Sequence, residues 1–323
     1  MVSTVLRSVI AGAAALTLAT GATAADWPER PVHVVVAYGA GGGTDTLSRM
    51  VAEPLSEVLG QPVVIDNRPG AGGTIGAAAA AKADPDGYTM YMMANGHTVA
   101  AAMYKDLPYD AVSDFQPVSV VARMPLVVVA RPDFEASTIE ELVALAKENP
   151  GDLTFASVGV GSSQHFAGAL LAETLGVDVV HIPYQKTPEA LAAVLSGEVD
   201  MLVEVLAPVV GQVKAGDIKA LAVTSAERHP ALPDVSTVAE AGHPDYDVAT
   251  WYGLNFPAGT PDEIVEQANA AVQKAVADED LQKKALESGY VIGGSTPEAF
   301  GDQIASDVER WQKVREAAGI EQR

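Results

Sequence analysis

The sequence predicts an α/β protein built from two doubly wound halves, and three observations carry that prediction. Strand-like and helix-like segments alternate along most of the chain, which favours sheets with helices on their faces. A strand, glycine turn and helix recur as a unit, at Val32–Leu59 and again at Leu153–Leu175, suggesting two similar halves. A chain of 323 residues also exceeds what a single hydrophobic core usually holds. In such sheets ligands bind beyond the carboxyl ends of strands, so two halves of this kind can face each other across a cleft.

The first residues read as an export signal rather than as fold. Arg7 precedes an almost uncharged run from Ser8 to Ala25, and Ala22-Thr23-Ala24 supplies the small-x-small pattern that signal peptidase cleaves, here after Ala24. The run is too short and too rich in Ala, Thr and Gly for a comfortable membrane span. A periplasmic location for the mature protein is therefore expected, the alternative being an N-terminal anchor.

Val32–Ala37 is a β-branched run of buried-strand type, followed by the turn Gly39–Gly43 and by an amphipathic helix over Thr44–Leu59 with Leu47, Met50, Val51, Leu55 and Val58 on one face. Strands at Val63–Ile65 and Tyr88–Met93 flank an alanine-rich helix over Ile75–Ala83. The grammar returns with strands at Leu126–Ala130, Leu153–Ser157, Val179–Pro183, Met201–Val205 and Ile218–Val223. The interleaved helices are Ile139–Glu148, Ser163–Leu175, Pro188–Ser196 and Val209–Ala215. Such alternation predicts largely parallel sheets. From Asp262 the chain turns helical, over Ile264–Ala277, Glu279–Glu287 and Pro297–Ala317, and these helices need a sheet to pack on.

Composition removes several function classes. Twenty Lys and Arg against 42 Asp and Glu leave a net charge of −22, a surface that repels nucleic acid and anionic lipid at long range. The absence of cysteine removes disulfides, thiolate metal sites and cysteine nucleophiles. No G-x-S-x-G elbow and no H-E-x-x-H spacing occurs, so neither a catalytic triad nor a metal can be argued, and no cofactor is expected.

What remains is anion binding by backbone. A glycine turn that opens a helix aims unpaired N–H groups at one spot, where the helix dipole adds about half a positive charge. The first turn is Tyr38-Gly39-Ala40-Gly41-Gly42-Gly43-Thr44-Asp45; Thr44 breaks the dinucleotide fingerprint and no Walker lysine follows. The second, Gly159-Val160-Gly161-Ser162-Ser163-Gln164-His165, adds hydroxyls. Together they can clasp one small carboxylate or the two ends of a dicarboxylate. Asp45 reads either as a first-turn partner of its own helix dipole or as a ligand contact, Ser162 and Ser163 as caps, ligand donors or both, and His97, His165, Trp251 and Tyr252 as core or cleft residues.

The chain resembles the Bug family of periplasmic solute-binding proteins, receptor components of tripartite tricarboxylate transporters. The likeness runs from Trp27-Pro28-Glu29-Arg30-Pro31 to Trp311 and rests on ordered runs. These include Gly41-Gly42-Gly43-Thr44-Asp45, Asp66-Asn67-Arg68-Pro69-Gly70-Ala71-Gly72-Gly73, Pro85-Asp86-Gly87-Tyr88-Thr89, Gly161-Ser162 with His165, Leu232-Pro233-Asp234-Val235 and Trp251-Tyr252-Gly253. The resemblance implies a two-domain Venus-flytrap fold of the type II periplasmic binding proteins. One domain would comprise residues 25–124 plus 247–323 and the other 125–246, with chain crossings near Arg123–Pro125 and Asp245–Ala249. It implies a receptor, not an enzyme, that holds a di- or tricarboxylate or aromatic acid and passes it to membrane permease subunits, as a monomer. The carboxylate would rest on the turns Tyr38–Asp45 and Ser157–Ser163, with Asn95, His97, His165, Tyr184, Glu204 and Trp251 as further contacts and Lys186 either a distal contact or solvated. Many relatives carry prolines where this chain has Ala37, Gly39 and Ala40, and a frequent Asp is here Glu204, so no relative's ligand transfers directly. A ligand-sensing partner of a membrane sensor kinase shares the same pocket, and an enzyme using His97, His165 or Glu204 as acid or base lacks a paired nucleophile.

Overall fold

The computed structural model describes residues 27–323, so the export-signal reading of Met1–Ala24 lies outside the described residues. In chain order the elements begin β1 (Val32–Val36), α1 (Gly43–Leu59), β2 (Val63–Asn67), α2 (Thr74–Ala81), β3 (Thr89–Ala94), α3 (Gly96–Met103) and β4 (Phe115–Ala130). They continue with α4 (Ile139–Glu148), β5 (Thr154–Ser157), α5 (Ser163–Leu175), β6 (Val180–Pro183), α6 (Thr187–Ser196), β7 (Met201–Val205), α7 (Val210–Ala215) and β8 (Lys219–Val223). The last are β9 (Ala249–Pro257), α8 (Asp262–Val276), α9 (Glu279–Glu287), β10 (Val291–Ile292) and α10 (Pro297–Ala317).

Local chemistry sets several helix ends. Thr138, Ser162, Asp278 and Thr296 each accept a hydrogen bond from the backbone N–H three residues on, and so cap α4, α5, α9 and α10. Gly60, Gly176, Gly197 and Gly216 close α1, α5, α6 and α7 in the left-handed conformation that glycine adopts without strain.

Two sheets form. The first runs β2-β1-β3-β9-β4-β10 and the second β8-β4-β7-β5-β6. The halves repeat one pattern: β1 lies between parallel β2 and β3, with antiparallel β9 next, while β5 lies between parallel β6 and β7, with antiparallel β4 next. Both sheets are thus mixed, which corrects the expectation of largely parallel ones. The antiparallel members include β9 in the first sheet and β4 in the second; Leu126–Ala130 of β4 is an expected strand, whereas β9 and the earlier part of β4 are not revealed by the alternation of short apolar runs.

β4 belongs to both sheets. Its residues through Pro125 pair with β9, and those from Leu126 pair with β7 and β8. Thr224, fully buried, fastens this crossing to the other: its hydroxyl accepts the Leu126 N–H at 2.8 Å and lies 2.6 Å from the Val248 carbonyl. The late helices find the sheet they need. α8 packs on α1 and β4, and α10 runs from Phe300 and Ile304, beside Trp251 in the first half, to Trp311 and Val314, beside Phe166 and Leu171 of the second.

Candidate functional site

Between the two halves lies a cavity of about 570 Å³. Its wall is made where three helices begin: Gly43 and Thr44 open α1, Asn95 and Gly96 open α3, and Ser163 and Gln164 open α5. The order of the sheets explains the convergence. β1 and β3 are parallel neighbours, so α1 and α3 start from the same sheet edge, while α5 starts from the matching edge of the second half. First-turn N–H groups have no partner inside their own helix, and the three positive helix ends add at this point. The α1 N-terminus has no side-chain cap, so its amides are left for whatever occupies the cavity. Ser163 reaches across from the second half toward Asn95 of the first, Oγ to Oδ1 at 3.4 Å.

The rest of the lining is aromatic and apolar, with Tyr38, Tyr252, Tyr290 and Met124 from the first half and Val205, Ala207 and Pro208 from the second. The Tyr252 and Tyr290 rings meet edge to face at 5.6 Å. Burial raises the pKa of all three phenols, so each presents a neutral hydroxyl. A Cβ on Gly43 would lie 2.9 Å from the Tyr290 hydroxyl, so a glycine here lets that phenol stand beside the α1 N-terminus. Thr250 at the start of β9 also lines the cavity; it is 5% exposed and its Oγ1 has no protein partner. Among the described residues no lining residue is charged, so an anion bound here meets amides and hydroxyls rather than a lysine or arginine.

Of the residues singled out in the sequence, Tyr38, Gly43, Thr44, Asn95 and Ser163 line this cavity. Gly39, Ala40, Gly41 and Gly42 form the exposed approach to α1 and do not. Asp45 is buried in that turn, where it accepts the Gly41 N–H at 2.8 Å, is bridged by Arg49 and receives the Asn67 amide. The Arg49 guanidinium lowers its pKa to about 2, and Asp45 stiffens the turn rather than touching the cavity. In the second turn Ser157 and Ser162 are internal: Ser157 Oγ lies 2.6 Å from His181 Nε2, and Ser162 caps His165. Gly161, with φ of +81°, gives its N–H to His165 Nδ1 and sits under Met103.

Five further side chains expected as contacts lie outside this cavity. Trp251 is 1% exposed, faces away from the cavity and donates its indole N–H to Asp307 at 2.6 Å; successive strand residues point to opposite faces, so it is Tyr252 that lines the cavity. His97 is a core residue, stacked on Tyr109 at 5.2 Å with Nε2 2.9 Å from the Ala111 carbonyl, and burial lowers its pKa to about 4. His165 stacks on His181 at 3.8 Å beside a separate cavity near the end of α10. Tyr184 stands outside the cavity, 3.5 Å from Glu198, and Lys186 is exposed ahead of α6. Glu204 is fully buried behind the wall, bonded to Gln164 and Thr187. Gln164, Thr250 and Tyr290 are lining side chains that spacing does not reveal. Only the Gly-Ser-Ser-Gln helix start carried a local signal for the first of them.

With this geometry, comparison with known proteins is informative. The profile described as "Tripartite tricarboxylate transporter family receptor" matches residues 47–320. The UPF0065 protein of the tcbD-tcbE intergenic region of Pseudomonas sp. strain P51 is 40% identical over 313 residues, covering 95% of this chain and 93% of that protein. Among solved structures, the periplasmic binding protein BugD is 36% identical, with a TM-score of 0.73 over 92% of this chain and 100% of that one. The R. palustris protein Rpa4515 with adipate is 35% identical, with a TM-score of 0.76 over 92% of this chain and 100% of that one. These neighbours share the two-domain fold of periplasmic solute-binding proteins.

Proposed function

This chain belongs to the tripartite tricarboxylate transporter receptor family, and from that premise we propose that it is an exported receptor that captures a small organic carboxylate between its domains and delivers it to the permease subunits of such a transporter. The observation that carries the reading is the convergence of three helix N-termini on one cavity without a charged side chain. Such ends favour a carboxylate through dipole and free N–H groups together. The unpartnered Thr250 hydroxyl adds a donor that only a ligand or water can satisfy. A neighbour of similar shape holds adipate, a dicarboxylate, which supports the same ligand class here.

In this reading the moving bodies are residues 25–124 with 247–323 and residues 125–246, turning about β4 at Pro125 and about the segment before β9. Closure requires only that the ligand fit the closed state better than the open one. Residues 1–24 serve as the cleaved signal that places the receptor in the periplasm.

Thermal melting of the mature protein against mono-, di- and tricarboxylates, aromatic acids and acidic amino acids tests the proposal. A ligand at one hundred times its dissociation constant adds about 2.7 kcal/mol, a rise of a few degrees for a chain of this size. A shift confined to one carboxylate class supports the receptor reading. Unchanged melting across the panel, in protein shown by mass spectrometry to carry no retained ligand, overturns it.

A further inference from the structure

The cavity wall contains one side chain whose hydrogen-bonding sense is set from behind. Gln164, the second residue of α5, lines the cavity and gives its Nε2 to Glu204 Oε1 at 2.7 Å. That same oxygen accepts the Val205 backbone N–H at 2.8 Å, while Oε2 accepts the Thr187 hydroxyl at 2.7 Å. Glu204 is fully buried, and no ion pair to it occurs among the described residues.

An oxygen committed to a backbone donor meets Gln164 with a lone pair, so the group facing it must be the amide NH₂. Burial raises the Glu204 pKa, but a proton there belongs on Oε2 and leaves this argument unchanged. With its nitrogen held by Glu204, the amide keeps its carbonyl oxygen as a spare acceptor on a residue that lines the cavity, and no hydrogen bond to that oxygen occurs among the described residues. Three helix ends otherwise supply donors, so this carbonyl is an acceptor in a donor-rich wall.

Resting on the receptor reading above, we infer that Gln164, oriented by Glu204, selects carboxylates that also carry a hydroxyl group. The carboxylate takes the helix N-termini and the ligand hydroxyl donates to Gln164 Oε1. An ammonium is a poorer donor for this place, because the positive helix ends repel it, Glu204 is sealed behind the wall and Asp45 is already paired with Arg49. Gln164 acts here as a specificity residue and Glu204 as a positioning residue.

The test uses matched acids that differ by one hydroxyl: malate against succinate, and citrate against propane-1,2,3-tricarboxylate. Calorimetry on the mature protein should give roughly tenfold or greater preference for the hydroxylated member of the pair that binds, the worth of one well-placed hydrogen bond. Gln164→Leu should abolish the preference while the unsubstituted acid still binds. Glu204→Gln retains an acceptor at Oε1 and should retain the preference; Glu204→Leu frees the amide and should lose it, with folding checked by melting temperature. Equal affinity for both members in the wild type, or a preference that survives Gln164→Leu, overturns the inference and leaves the receptor reading intact. Failure of every carboxylate, in the pairs and in the wider panel, overturns both.

Discussion

His165 and His181 stack with ring centroids 3.8 Å apart, directly behind the second glycine turn. His165 Nδ1 takes the Gly161 N–H at 3.2 Å and His181 Nε2 meets Ser157 Oγ at 2.6 Å, so the pair holds the turn at its middle and at its start. Burial lowers the pKa of His165 to about 4, and burial with the neighbouring ring lowers that of His181 to about 3. Both rings are therefore neutral in the fold, while in the unfolded chain they protonate near pH 6.5. Protons then favour the unfolded state between those values, so the stability contributed is full above about pH 6.5 and is lost as pH falls toward 4. Denaturant melts at pH 7.5, 5.5 and 4.5 should show His181→Gln losing less stability over this range than the wild type. The difference isolates the histidine from Glu173 and Asp178, which line the same cavity and are present in both proteins. Parallel pH dependences would show that the stack is not the acid-sensitive part.

At the scale of elements, close packing decides what the glycines near the first turn must be. A Cβ on Gly76 of α2 would lie 2.6 Å from Ala37 Cα and 2.8 Å from the Arg68 carbonyl, both backbone atoms that cannot step aside. Gly76→Ala should therefore push α2 off the end of β1 and cost about 1–3 kcal/mol, read as a lower denaturant midpoint with unchanged slope. A midpoint equal to the wild type would mean that α2 is not seated as described. Elements with their own punctuation were legible in the sequence: α4, α5, α9 and α10 start and stop where their caps and apolar periodicity place them. β4 before Leu126, β9 and α3 were not. Pro117, Ser119 and Arg123 interrupt any apolar run in β4, and its long pairing with β9 joins segments more than a hundred residues apart. α3 begins with glycine and carries no side-chain cap. The site divides the same way. The two glycine turns announced Gly43, Thr44 and Ser163 and the Trp-Tyr-Gly run offered Tyr252, whereas Thr250 and Tyr290 reach the cavity only through strand pairing and the placement of the late helices.

For the whole molecule, the repeated strand order of the two sheets brings like edges together, and that symmetry is what aims α1 and α3 at α5. The net charge of −22 opposes an approaching anion at long range, so the proposed binding relies at short range on N–H groups in the cavity. Ser163→Pro, compared with Ser163→Ala to discount the hydroxyl that meets Asn95, isolates one such group. Proline is tolerated at the first helical position, and Ser162 at φ −76°, ψ 159° already has the extended backbone that precedes a proline. The most direct test is calorimetric titration at pH 7 of the carboxylate that gives the largest melting shift, against its uncharged amide, in the wild type and in Ser163→Pro. The carboxylate should saturate a single site, the amide should not bind, and Ser163→Pro should keep its melting temperature while losing roughly tenfold or more in affinity, the share of one charge-assisted hydrogen bond. An amide that binds as tightly as the acid, or a proline variant with undiminished affinity, would contradict recognition of an anion by converging helix N-termini.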